Sequence, residues 1–271
     1  MAFCGKSTGH AVCYDPAAMS NLVTYVDRPA AAVASIIALD GQAPRLEDLF
    51  EFMVDAELRV GSLRMRILEQ TITALGETQV TVDILLAHPG RARVTRRRSA
   101  EPLSRDYDVW SSDGTTVTTY DARSERASIR PLRRAVVGAT RTDLPRFSQV
   151  YVPRTRLPAE TLADTFIHPH GYIRNVLLTG PVALTGTAIV QGREAFVLRA
   201  DHPRSTYVLT DRPDRWLEVG VDRQTGFIVL LVEHIGEVVT RHAEVTSLEL
   251  DPALPDEAFL VHLPEDVRRI Y

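Results

Sequence analysis

Cysteine is nearly absent from this chain. Of 271 residues only Cys4 and Cys13 carry a thiol, and two cysteines near one end cannot staple a chain of this length. They read as free thiols, with a Cys4–Cys13 bridge as the alternative. Lysine is scarcer still. Lys6 is the only one, and arginine supplies the rest of the 31 basic residues against 35 acidic ones. A formal net charge of −4 offers no broad basic field, so no nucleic-acid partner is expected. No apolar run reaches the ~20 residues that a membrane-spanning helix needs. The longest, residues 29–39, follows Arg28 and stops at Asp40. It resembles the hydrophobic part of a signal peptide but begins late, and no small-residue cleavage site precedes Asp40. The residues before Cys13, Gly9-His10-Ala11-Val12, do not form a lipoprotein box.

Catalytic signatures are missing too. There is no Gly-x-Ser-x-Gly elbow and no cysteine in a nucleophile setting. Gly5-Lys6-Ser7 has the end of a phosphate-binding loop, but no strand leads into it. His168-Pro169-His170 offers two imidazoles. The intervening proline and the lack of adjacent Cys or carboxylate ligands favour a helix terminus there, with a metal site as the alternative. His88, His202, His234, His242 and His262 are scattered. Asp113 and Asp222 stand in turn contexts, where a carboxylate caps backbone N–H groups. The expectation is a protein that is not an enzyme and needs neither metal nor cofactor.

What the chain does have is a change of period. Pro44 is tolerated in a first helical turn, and Leu46, Leu49, Phe50 and Met53 follow an i, i+3, i+4, i+7 stripe. A helix is expected over about residues 45–59. From Arg64 the period becomes two. Val80, Val82, Ile84 and Leu86 share one face of a strand, between turns at Gly76-Glu77-Thr78 and Pro89-Gly90. Ala92 and Val94 continue that inner face. Residues 109–121 (VWSSDGTTVTTYD) place Asp113-Gly114 between apolar and β-branched arms, the strongest short hairpin signal. After residues 131–156, which lack a clear period, Pro158 opens a second short helix that Pro169 stops. Residues 172–178 form a third helical piece. Strands are expected at 187–190, 195–200, 207–210 and 237–250, with a hairpin unit over 216–232 and a closing element at 254–260. This order predicts one mainly β domain with capping helices over 45–265, an N-terminal arm of unknown role over 1–44 and a tail over 266–271.

Two further features bear on binding. Residues 91–134 hold eleven Arg against six acidic residues. Either a solvated outer strand face or an attraction for an anionic headgroup or acidic partner accounts for them. The segment 157–178 carries Leu162, Phe166 and Ile167 on one side of a helix, followed by Tyr172, Ile173, Val176, Leu177 and Leu178. That is more apolar surface than an exposed segment shows, so it must cover something.

The order of these elements and four strings, 109–121, 192–198 (GREAFVL), 221–226 (VDRQTG) and 254–259 (LPDEAF), resemble the bacterial lipoprotein-carrier superfamily. Its members include LolA, LolB, mycobacterial envelope lipoproteins and the sensor domain of RseB. The resemblance implies an unclosed antiparallel β-barrel with a helical lid over its mouth. It implies an apolar cavity, as carrier or sensor, for a lipid, an acyl chain or a lipidated protein, each buried CH₂ contributing ~0.8 kcal/mol. The expected cavity wall is Val82, Ile84, Val94, Trp110, Tyr120, Phe196, Trp216 and Phe227, although core filling is the commoner fate of such aromatics. The expected lid is Leu162, Phe166, Ile167 and Tyr172, swinging away so that Phe166→Glu props it open. A monomer in the cell envelope is implied, with the cytoplasm as the alternative where no export signal operates. The alternative function is a regulatory protein-interaction module without a lipid, like an anti-sigma co-regulator.

Overall fold

The computed structural model describes residues 43–98, 101, 104–132, 152–203 and 212–270. The cysteines, Gly5-Lys6-Ser7, the apolar run at 29–39 and the expected strand at 207–210 lie outside these residues. Helix α1 (Leu46–Val54) is followed by a 3-10 turn at Ala56–Arg59. Six strands come next: β1 (Ser62–Thr73), β2 (Gly76–Ala87), β3 (Arg91–Arg97), β4 (Tyr107–Asp113), β5 (Thr116–Asp121) and β6 (Arg126–Pro131). Helices α2 (Leu162–Ile167) and α3 (His170–Asn175) lead into β7 (Val182–Val190), β8 (Arg193–Asp201), β9 (Arg215–Asp222), β10 (Ile228–Ile235) and β11 (Val238–Leu250), and β12 (Arg268–Arg269) ends the series.

The strands form one twelve-stranded sheet in the order β12-β6-β5-β4-β3-β2-β1-β11-β10-β9-β8-β7. Two meanders therefore join at the β1–β11 seam, where Leu63 faces Leu250 and Thr71 faces Arg241. The sheet does not close, and β7 and β12 are its edges. This is the expected open antiparallel barrel with helices over its concave side.

Period two explains which face is which. Leu63, Met65 and Ile67 of β1, Val82, Ile84 and Leu86 of β2, and Ala92 and Val94 of β3 are all buried. Directly opposed residues share a face, and the register stacks Ile67 on Val82, Met65 on Ile84, and Ile84 on Val94. Leu198, Leu217, Val219 and Val221 continue this concave layer through β8 and β9. The main core lies between it and α1–α3.

Several boundaries differ from the sequence reading. The β1–β2 loop is Ala74-Leu75, because Thr73 already faces Gly76; Gly76-Glu77-Thr78 belong to β2. In the β4–β5 hairpin Ser112 faces Val117, so Gly114 (φ +95°) and Thr115 make the turn. Asp113 instead stands just before it and accepts hydrogen bonds from the backbone and hydroxyl groups of Thr115 and Thr116. Partial burial pushes its pKa up, yet those bonds outweigh it and hold the carboxyl at about 2. Helix α2 begins after Thr161, whose hydroxyl accepts from the Asp164 N–H, rather than at Pro158. Arg268 and Arg269 of the expected tail pair in parallel with Arg126 and Ala127.

Gly226 fixes α1 to the β9–β10 turn. Its φ is +78°, and a Cβ there would lie 2.8 Å from the Phe52 carbonyl oxygen. Arg59 clamps the same junction, donating to the carbonyls of Phe52 and Thr225 at 2.8 and 3.1 Å. Gly226→Ala combines a left-handed backbone with a clash against rigid main chain, and should cost about 2–4 kcal/mol. A chemical denaturation series checks this through a lower midpoint at unchanged slope. A midpoint equal to the parent's would show that α1 can shift away freely.

Candidate binding face and its helical cover

Five expected wall residues come together. Val82, Ile84, Val94, Phe196 and Phe227 share the main core cluster with Phe166 and Ile167, while Trp110, Leu162 and Tyr172 pack against it partly buried. Two others fall elsewhere. Tyr120 faces Val109 and Ala127 on the outer side of the sheet. There it forms a second cluster with Ala122 and Ala127, against which Tyr107, Val261, Leu263 and Val267 pack. Trp216 alternates with core residues Leu217 and Val219 and so points outward. It stacks on His234 with ring centroids 3.5 Å apart and lies 4.2 Å from the Arg199 guanidinium carbon. Aromatic character alone does not reveal a face; strand parity does.

The concave face is filled beneath the cover. Phe166 and Ala163 of α2, Ile173 of α3, and Leu177 are all 0 % exposed. Toward β4 the face opens, for Trp110 sits opposite Val94 and Thr119 and is only half-buried. The other end carries charge. Glu69 and Arg241 form an ion pair, and Arg215 pairs with Glu233 at 3.1 Å. Their register puts all four on the concave side. They lie near Tyr172, whose phenol is pushed up mainly by burial. An apolar floor thus ends in a charged rim on one side and in a half-open tryptophan on the other.

A buried polar node, missed in the sequence, pins the cover. His168 caps the C-terminus of α2. Its Nε2 lies 3.1 Å from the Glu57 carboxylate, and its Nδ1 3.1 Å from Asp164. Burial opposes a charged imidazole, but Glu57 and Asp164 outweigh it and raise the pKa to about 9. Both ring nitrogens therefore donate. The Arg154 N–H also donates to Glu57, at 2.9 Å. His88 is the opposite case. Its Nε2 lies 3.2 Å from the Glu57 carbonyl and its Nδ1 2.7 Å from the Thr155 hydroxyl, whose oxygen also accepts from the Gly90 N–H at 2.8 Å. A neutral ring, donating from Nε2 and accepting at Nδ1, satisfies this set. Burial lowers the His88 pKa to about 4. The signal available in the sequence was Asp55 and Glu57 inside the apolar stretch that follows α1; both are 1 % exposed. Among the described residues no group of three or more His, Cys, Asp or Glu is placed to hold a metal ion.

Asp222 is wholly buried and accepts from the Gln224 and Thr225 N–H groups and the Thr225 hydroxyl, while Arg193 pairs with it at 2.6 Å. It is a turn cap, as its context implied. The Arg-rich strand β3 does turn Arg91 and Arg93 outward. They hold the C-terminal segment across β3 and β4: Arg91 pairs with Asp256, and Arg93 donates to the carbonyls of Ala258 and Leu260. Ser111 donates to the Phe259 carbonyl beside them. Arg97 pairs with Asp83 on the same outer face, whereas Arg98 pairs with Asp108, which strand parity puts on the side of Trp110. The charge of Arg91, Arg93 and Arg97 is thus spent within the outer face. No helix among the described residues is long and apolar enough to cross a membrane.

No family model matches the sequence, and no curated protein matches it. Solved structures do. The complex of MucA and MucB from Pseudomonas aeruginosa is similar at 14 % identity and a TM-score of 0.45, over 80 % of this chain and 60 % of that one. Lipoprotein LppX of Mycobacterium tuberculosis is similar at 12 % identity and a TM-score of 0.40, over 79 % and 99 %. A LolA superfamily protein from Nitrosomonas europaea is similar at 10 % identity and a TM-score of 0.34, over 81 % and 99 %. The chain spans about three fifths of the MucB chains it matches. One of these structures is described as a LolA superfamily protein.

Proposed function

We propose that this protein is a non-enzymatic binder whose concave face takes an acyl chain, of a lipid or of a lipidated protein, as a carrier or sensor. One observation carries the reading. The apolar floor formed by Val82, Ile84 and Val94 runs out from under the helices to the half-buried Trp110. A chain of methylenes lying there loses water along the side that meets the floor, and complete burial is worth ~0.8 kcal/mol per CH₂. Energy transfer to a fluorescent polyene fatty acid tests it. In a Trp216→Phe background Trp110 is the single donor, and its emission should fall as the probe binds. Trp110→Asp removes that donor, so its effect is read from the polarisation of the probe's own fluorescence; it should weaken probe affinity about tenfold or more, equivalent to ~1.4 kcal/mol. No transfer, together with no co-purified lipid in native mass spectrometry, would sink the acyl-chain reading. The filled interior beneath α2 supports a second reading, a protein-interaction module of the same fold that holds no lipid.

A further inference from the structure

The two edges of the sheet are treated differently. Beyond β6 the edge carries Arg126, Arg130, Arg268 and Arg269, and charge on an edge discourages pairing with another strand. The opposite edge is β7, whose sequence VALTGTAIV has no ionisable side chain. It is nine residues long and largely exposed, and β8 is its one strand neighbour among the described residues. Ile189 on it is 67 % exposed, although it stands opposite Glu194, in line with concave residues Phe196 and Leu198. An uncharged edge with open N–H and C=O groups is a template for another strand.

We propose that β7 pairs with β7 of a second copy of this chain, antiparallel and about a two-fold axis, extending the sheet across a homodimer. The register follows from the bulge in β7. The pairing with β8 shifts between Leu184 and Gly186, which puts Val182, Leu184, Thr187 and Ile189 on the concave side and Ala183 and Ala188 on the outer side. A two-fold pairing must match concave with concave. The register centred between Thr185 and Gly186 does so. It sets Val182 opposite Ile189, Ala183 opposite Ala188, and Leu184 opposite Thr187, each pair occurring twice. Exposed Ile189 is then covered by the other copy's Val182, and no charge opposes another. This pairing is independent of whether the concave face holds an acyl chain, and it replaces the monomer expected from the sequence.

Sedimentation velocity of the full chain over a concentration series tests the proposal. The parent protein should rise from one to two chains per particle. Ile189→Lys, at a site exposed in one copy, should remain monomeric with unchanged circular dichroism. The register has its own test. Ala183→Lys with Ala188→Lys opposes like charges twice and should abolish the dimer. Ala183→Lys with Ala188→Glu opposes unlike charges twice and should restore it. A parent that stays monomeric at every concentration overturns the proposal. So does a dimer that survives both Ile189→Lys and the double-lysine variant. A β7 edge that captures an unrelated extended peptide while the parent stays monomeric counts against self-pairing as well.

Discussion

Phe166→Ala lowers the unfolding free energy by about 3–5 kcal/mol, and Phe166→Glu, which adds a buried unpaired charge, abolishes the cooperative transition. The ring is fully buried in the main core beside Ile167. The helix carrying it is only six residues long, so its stability comes from tertiary packing rather than from its own hydrogen bonds. Denaturant titration of both variants, with hydrogen exchange across α2, measures both effects. A swinging lid would give the reverse result, a folded sheet with fast exchange confined to residues 157–178 and weaker probe retention. Loss of the whole transition would show that α2 is part of the permanent core, leaving the wing beside Trp110 as the way in.

Glu57→Gln is expected to cost about 3–5 kcal/mol, because it takes from a buried imidazolium one of the two carboxylates that pair with it among the described residues. The same node shapes the pH dependence. The folded-state pKa of His168, about 9, lies above its unfolded value. Its contribution is therefore fully present below about pH 6.5 and is lost as pH rises toward 9. The folded-state pKa of His88, about 4, lies below its unfolded value. Protonation of the unfolded chain therefore erodes stability as pH falls from about 6.5 toward 4. The two slopes have opposite signs, and stability should peak between them, near pH 6–7. Melting temperatures from pH 4 to pH 9.5 check this. His168→Gln should flatten the alkaline limb and leave the acid limb in place. An unchanged alkaline limb in that variant would show that His168 is neutral in the folded protein.

The fold was legible where one periodicity ran long enough to be counted. The stripe at Leu46, Leu49, Phe50 and Met53 marks α1, and the alternation through Val82, Ile84, Ala92 and Val94 marks the concave face. Both signals are local, since each residue's face follows from its neighbours in the same strand. Turn positions slipped by one or two residues because Asp113 acts through its side chain from the strand end, and because Gly76 is a strand residue rather than a turn residue. Tyr120 and Trp216 lie on the outer side although an aromatic in a strand suits either face; for Trp216 the signal is its alternation with Leu217 and Val219. The Glu57 node was hidden because its members come from four separate segments. Nothing in a single sequence brings His88, Arg154, Asp164 and Glu57 together; only the packing of α2 against the turn after α1 does so.

The β1–β11 seam has a consequence for how the chain is made. Leu63 and Leu250 meet across it, so the first strand of the sheet waits for nearly the last one. During synthesis β1 to β6 emerge as a meander with one flank of β1 bare and its apolar side uncovered, and more than a hundred further residues must be translated before β11 arrives. Contacts this distant along the chain slow folding, and an open strand flank held in that state is prone to association with other nascent chains. The most vulnerable moment for this protein is therefore late in translation, just before its two halves zip together.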